Sequence, residues 1–375
     1  SFLRAAGERR GSALNVLASP WTAPPWMKSG GNEYVGGRLK EEYYSAFAIY
    51  FSKFIAAYEA SGVPIWAVTP QNEPKLLPGA LKQTWESMAW TNSELIRFIG
   101  QFLGPTLKDA SQDTLIVAHD DQRFELPHFT GSLIQDPDAM RYVAGLGYHW
   151  YQYPPKPRGG KGLLDWFWNL GPKEFMVGDT YDMLGETRRR LDDSQHTDVF
   201  LIETEMCTGF SRFMSPPCVG VSLGNWDRGE MYGEEIIRSL AQGVQGWLDW
   251  NLVLDSVGGP NWVGNICDAP LIASSAVEGG QILVQPMCMF IAHFSHFLLP
   301  GMHRLEMQDC TEGLMAVAYS EPGRTCTVLM SRQDASQMVS ISHGDTCVDV
   351  ELPPHSIATI VIKSETSLLG WLSGS

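Results

Sequence analysis

The sequence predicts an α/β fold: a (β/α)8 TIM barrel, six of whose eight strands can be counted, followed by a C-terminal antiparallel β-sandwich module. Three observations predict it. Short apolar runs alternate with amphipathic stretches of helical period over the first 300 residues, at the spacing of β/α units. The runs are continuously apolar, as parallel strands buried on both faces must be. Each run also ends in residues of a functional type, and a (β/α)8 barrel builds its site at the C-terminal ends of its strands. A doubly wound sheet would place ligands there too, but no Gly-rich phosphate loop follows any run.

The elements follow in chain order. "LNVLASPW" (14–21) ends at Trp21, and "PIWAVTPQNEP" (64–74) at Asn72 and Glu73. "TLIVAHDDQ" (114–122) ends in His119, Asp120 and Asp121, and "VAGLGYHWY" (143–151) in His149, Trp150 and Tyr151. "DVFLIETE" (198–205) carries Glu203 and Glu205, and "VQGWLDWNL" (244–252) carries Asp249, Trp250 and Asn251. Helices are expected at 40–60, 84–103 and 230–242, the first stopping at Gly62, a residue suited to a helix C-terminus. The segment 282–299 is the most apolar helix candidate, but Gln285, Pro286 and two His residues make it a buried helix rather than a membrane span. Beyond it, "LMAVAYSE", "TCTVLMSR", "MVSISH", "CVDVEL" and "SIATIVIK" alternate between Gly, Asp and Pro turns, the texture of an antiparallel module. The expected domains are therefore a barrel over 1–300 and a β-sandwich side domain over 301–375. Eight strands close such a barrel, so the chain is expected to lack its first one or two β/α units.

Composition narrows the function. The net charge of −15 argues against nucleic acid as a partner, which needs a concentrated basic face. Thirteen Trp, 12 Tyr and 16 Phe suit either a large aromatic core or a cleft lined with flat faces. Seven Cys without a CxxC pair leave the redox compartment open. "HDDQ" (119–122) has one His and two Asp but no second His at ligand spacing, so hydrogen bonding there is preferred to a metal site. No metal and no cofactor is expected.

Glu73 and Glu205, at the ends of separate strands, meet the requirement of glycoside hydrolysis for a proton donor and a second carboxylate at the anomeric carbon. Taken singly, each Glu reads equally as a helix cap or a rim ion pair. The Asn72 amide beside Glu73 suits a sugar 2-hydroxyl, and Trp21, Trp150, Tyr151 and Trp250 offer ring faces for a pyranose. Glu203 competes with Glu205, because residues two apart share a strand face.

"LASPWTAPPWMKSGG", "WAVTPQNEP", "GYHWY", "FLIETEMC", "LGNWDRGEMYGEEII" and "GWLDWNLVLDSVGGPNWVGN" occur in this order over residues 14–300. Together they resemble the glucosylceramidases (acid β-glucosidases) of glycoside hydrolase family 30. The resemblance implies a retaining β-glucosidase with Glu73 as acid/base and Glu205 as nucleophile, and with glucosylceramide or a related β-glucoside as substrate. It implies substrate contacts from Trp21, Asn72, His149, Tyr151, Trp250 and Asn265. Other family members that cut β-1,6-glucan or β-xylosides, and a non-catalytic glycolipid binder, are the alternatives. The family's sugar-binding Asp falls upstream of residue 1, and the segment after Glu73 is short and lacks an aromatic. Lysosomal location is implied, with secretion as the alternative; an activator protein and a membrane surface enter as further partners. The loops at 151–162 and 215–226 could carry apolar groups toward a lipid.

Overall fold

The computed structural model describes residues 2–12, 14–30, 34–75, 85–151, 181–210, 220–261, 263–275, 279–308, 312–344 and 346–363. The segment 76–83 after Glu73 and the loop stretches 152–162 and 215–219, singled out above, lie outside the described residues. The chain divides into two compact units: Ser1–Met206 with Val244–Trp250, and Cys207–Gly243 with Asn251–Ser375.

The first unit is built on six strands: β1 (Val16–Ala18), β2 (Ile65–Val68), β3 (Leu115–Gln122), β4 (Val143–His149), β5 (Phe200–Glu205) and β6 (Gly246–Trp247). They pair in sequence order, each parallel to the next, and coincide with the six expected runs. The sheet is covered on both faces, as its unbroken apolar runs require. Ile116 and Ala118 of β3 join the larger core cluster with Leu146 and Leu201, whereas Val117 between them joins Ala67 and Ile202 in a second cluster. That alternation is the two-residue period of a strand.

The helix Tyr44–Ala60 buries Tyr44, Phe47, Ala48, Phe51 and Ile55, one stripe at helical spacing. Phe47 stacks on Phe98 at 5.8 Å, and each such buried ring contributes ~1.5–3 kcal/mol. The helix expected over 84–103 begins later, at Asn92. Its start is set by a capping box: the Thr91 hydroxyl accepts from the Glu94 amide at 3.2 Å and the Glu94 carboxylate accepts from the Thr91 amide at 2.7 Å. It also runs further, through a π-turn at Ile99–Leu103 into Gly104–Asp109. Pro105 has no N–H to donate, and it sits in the first turn of that last segment, beyond the widened turn.

In the second unit the helices Trp226–Ala241 and Pro286–Ser295 approach closely. A Cβ at Gly229 or Gly233 would collide with the Phe290 ring at 2.6–2.7 Å. β7 (Val253–Asp255), β8 (Leu271–Ala273) and β9 (Ile282–Val284) form a small sheet. Six further strands follow: β10 (His303–Leu305), β11 (Leu314–Glu321), β12 (Arg324–Ser331), β13 (Gln337–His343), β14 (Thr346–Leu352) and β15 (Ser356–Lys363). β10, β11, β12 and β15 make an antiparallel sheet, and β13 with β14 a hairpin. Leu329 of the sheet and Val339, Ile341 and Leu352 of the hairpin share one core, the sandwich packing that the alternating pattern predicts. Among the described residues no helix is long and apolar enough to cross a membrane.

Candidate active site

The sequence "TPQNEP" leaves β2 at the carboxyl edge of the parallel sheet and is stitched to the neighbouring strand ends. The Thr69 amide donates to the Ala18 carbonyl, the Asn72 amide to the Pro20 carbonyl, and the Glu73 amide to the Asp120 carbonyl, each at 2.9 Å. The Gln71 side chain donates to the Trp21 carbonyl at 2.7 Å. Glu73 itself adopts a left-handed backbone, φ +44°, a conformation that costs a non-glycine residue about 1 kcal/mol or more and recurs at functional sites. On β3 the register against β4 slips between His119 and Asp121, with φ +76° at His119 and +55° at Asp120. The slip is a bulge, and bulges re-aim side chains.

These devices bring three groups together. One carboxylate oxygen each from Glu73 and Glu205 and a ring nitrogen of His149 all lie within 4.8 Å of one another. His149 Nδ1 stands 3.3 Å from Glu73 Oε1, and its Nε2 stands 3.2 Å from Asp120 Oδ1. The Gln122 side-chain Nε2 donates to Glu73 Oε1 at 2.9 Å, and the Tyr151 hydroxyl bonds to the Glu205 carboxylate. Glu203 lies apart from the cluster, fully buried and accepting from the Tyr148 hydroxyl at 3.1 Å. Strand periodicity left Glu203 and Glu205 equivalent; the irregular pairing between Tyr148 and His149 is what separates them.

The charges are tightly interlocked. Burial depresses the His149 ring, but the Glu205 charge and the bonds to Asp120 and Glu73 outweigh it and hold the imidazole well above its ordinary range. Burial likewise raises Asp120, yet the bonds from His149, Thr204 and Thr69 outweigh it and keep this carboxyl below its usual value. Glu205 is pushed up to about 8, by burial first and then by the charges of Glu73 and Asp120, against the pull of His149. Burial, with the Glu73 charge, lifts Asp121 to about 7. A nucleophile calls for an ionised carboxylate, whereas burial raises Glu205.

Of the expected substrate contacts, Asn72 is buried beside Glu73, and the Tyr151 ring meets the His149 ring edge-on at 6.1 Å. Trp21 and Trp250 are half-buried; Trp250 is held through its amide to the Met206 carbonyl at 2.9 Å, next along the chain from Glu205. Trp150 is fully buried and presents no face to a sugar. Asn265 belongs to the second unit, in a turn where Asn261 Oδ1 accepts its amide at 3.0 Å. Thr69 and Thr204 were not singled out in the sequence, whereas Asp120 and Gln122 stand in the "HDDQ" stretch, where hydrogen bonding is the preferred reading and is what the structure shows. Glu73, His149 and Glu205 also stand close enough to ligate a metal ion. However, both His149 nitrogens face carboxylates, so the arrangement suits a shared proton better than a cation.

A close carboxylate pair at the carboxyl ends of parallel barrel strands defines the class, that of a barrel glycosidase. The chain belongs to glycosyl hydrolase family 30, whose TIM-barrel domain matches residues 2–181 and 170–298. It is 33% identical over 362 residues to the lysosomal acid glucosylceramidase of Mus musculus, across 94% of this chain and 63% of that protein. It is 25% identical over 373 residues to the endo-1,6-beta-D-glucanase neg1 of Aspergillus fumigatus, across 94% of this chain and 66% of that one. The crystal structure of SrfJ from Salmonella typhimurium shares the fold, with a TM-score of 0.79 at 24% identity over 96% of this chain and 72% of that one. The chain thus spans less than two thirds of the length of the mouse relative.

Proposed function

We propose that the protein is a retaining glucosylceramidase, which cleaves the β-glucosidic bond of glucosylceramide to release glucose and ceramide. The observation that carries this reading is the approach of the Glu73 and Glu205 carboxylates to within 4.8 Å. Retaining enzymes hold the pair about 5–5.5 Å apart, whereas inverting ones leave about 6.5–9.5 Å for a water. In the first step Glu205 attacks the anomeric carbon while Glu73 passes its proton to the ceramide oxygen, giving a glucosyl ester and free ceramide. In the second, Glu73 takes a proton from water as that water attacks the same carbon, and Glu205 leaves as carboxylate. The positive charge that develops on the sugar ring beside Glu205 favours the ionised form of that carboxylate. Trp21, Asn72, His149, Tyr151 and Trp250, all of the first unit, are the proposed sugar contacts.

The likeness to the mouse enzyme supports glucosylceramide as substrate and a lysosomal location, with secretion as the alternative. A membrane surface and an activator protein belong to the same reading. A second reading, endo-1,6-β-glucanase, is favoured by the Aspergillus relative, which matches the same 94% of the chain; the two differ in what lies beyond the scissile oxygen. The test is hydrolysis of an aryl β-glucoside, glucosylceramide and β-1,6-glucan by the wild type and by Glu205→Gln. Release of glucose from the first two, with a loss of about 10³-fold or more in the variant, is expected. Azide should restore turnover to Glu205→Ala as a glucosyl azide of inverted configuration. Activity surviving in Glu205→Gln rules out Glu205 as nucleophile, and turnover of the glucan alone selects the second reading.

A further inference from the structure

We propose that Asp120 is a positioning residue of this site: its carboxylate holds the His149 ring against Glu73 and thereby governs proton delivery from Glu73 to the leaving group. The inference rests on the glycosidase reading for its catalytic consequence, and on geometry alone for the hold on His149.

Asp120 is 1% exposed. Its Oδ2 accepts from the Thr69 hydroxyl at 2.5 Å, and its Oδ1 accepts from the Thr204 hydroxyl at 2.6 Å and from His149 Nε2 at 3.2 Å. The Ser19 hydroxyl in turn donates to Thr69 Oγ1 at 2.7 Å, because the one Thr69 proton is committed to Asp120, so one carboxylate ties together the ends of β1, β2, β4 and β5. Two successive left-handed residues, His119 and Asp120, are what turn it inward. Such backbone strain costs about 1–3 kcal/mol per residue and persists where the surroundings over-determine it.

A buried carboxylate is costly unless a cation faces it. Two hydroxyls share out its charge without neutralising it, and the ring of His149 is the group that can. With Nε2–H committed to Asp120, Nδ1 is left facing Glu73 Oε1 at 3.3 Å. The groups that act on His149 are Glu73 after β2, His119, Asp120 and Asp121 on β3, and Glu205 on β5, with the Tyr151 ring at its edge. Asp120 also anchors Glu73 directly, since its carbonyl accepts the Glu73 amide at 2.9 Å. That backbone bond survives a side-chain change, so Asp120→Asn removes the charge while leaving the anchor.

The test follows the His149 ring by NMR of the protein labelled with ¹⁵N-histidine, the resonance being assigned by its loss in His149→Gln. In Asp120→Asn the His149 titration should fall by about one pH unit or more. Turnover of phenyl β-glucoside, which needs a proton on its leaving oxygen, should fall about tenfold further than turnover of the 2,4-dinitrophenyl glucoside, which does not. If Asp120→Asn does not fold, Thr204→Val serves instead. It concentrates the Asp120 charge on His149, so the titration should move upward. A wild type inactive on both glucosides, with the His149 titration still falling in Asp120→Asn, upholds the hold on His149 and sinks the glycosidase reading. An unmoved His149 in the variant that folds, or equal losses on the two glucosides, overturns the proposal.

Discussion

Lowering the pH from 7 to 4 should withdraw about 3 kcal/mol of stability through His119, and replacing that residue by Leu should abolish this component. His119 is 2% exposed, its Nδ1 lies 3.0 Å from the Gly147 carbonyl, and its buried Nε2 finds no hydrogen-bond partner among the described residues. Its ring packs 5.2 Å from that of Phe129. Burial, with the nearby His149 charge, lowers it from 6.5 to about 4. That gap is worth ~3 kcal/mol at ~1.4 kcal/mol per pKa step. The folded state binds this proton more weakly than the unfolded one, so the contribution is whole above pH 6.5. It drains away as the pH falls through 6.5 toward 4. Asp121 acts oppositely, because its carboxyl is raised to about 7 and the folded state gains as that proton binds. For this reason the wild-type curve alone is uninformative. The useful quantity is the stability difference between wild type and His119→Leu, from urea unfolding at pH 7 and pH 4. It should shift against the wild type by ~3 kcal/mol between the two, whatever Asp121 does in both. A difference that stays constant within about 0.5 kcal/mol, the usual margin for independent effects, would refute the burial argument.

Two further outcomes are expected. Gly145→Ala should lower stability by ~1–3 kcal/mol, read as a lower thermal midpoint. Its new methyl would run into the Phe200 ring on the paired strand, and that ring is held stacked on Trp66 at 5.6 Å. An unchanged midpoint would mean that the ring swings clear. Asp268→Asn should cost ~3 kcal/mol or more in denaturant unfolding, because it leaves the buried Arg228 guanidinium without the carboxylate that pairs with it. That carboxylate also accepts from the Ser222 and Ala269 amides and the Gln285 side chain. A loss below about 1 kcal/mol would show that those neutral bonds, and not the ion pair, organise this corner.

Much of the fold was legible because its signals are local. The runs Ile65–Val68 and Leu115–Ala118 are apolar without interruption, as strands covered on both faces are. The helix Tyr44–Ala60 announced itself by its stripe of Tyr44, Phe47, Phe51 and Ile55. The start of the next helix was misplaced because the Thr91–Glu94 capping box outranked the apolar residues before it. Its end was misplaced because the helix continues through a π-turn at Ile99–Leu103 into Gly104–Asp109, with Pro105 in the first turn of that last segment.

Local order along the chain also sufficed to set Glu73 and Glu205 at the mouths of parallel strands, since a strand's direction follows from its connections. Three things required the tertiary structure: the proximity of those carboxylates, the different surroundings of Glu203 and of Glu205, whose choice as nucleophile rested on the family resemblance, and the network of Asp120, Thr69, Thr204 and Gln122 behind them. The first depends on register between strands more than a hundred residues apart, which no window of sequence contains. The second turns on an irregular pairing between β4 and β5. The third depends on two left-handed residues at His119 and Asp120. Neither is a glycine, so the residue types give no warning, and only the surrounding packing holds the backbone there.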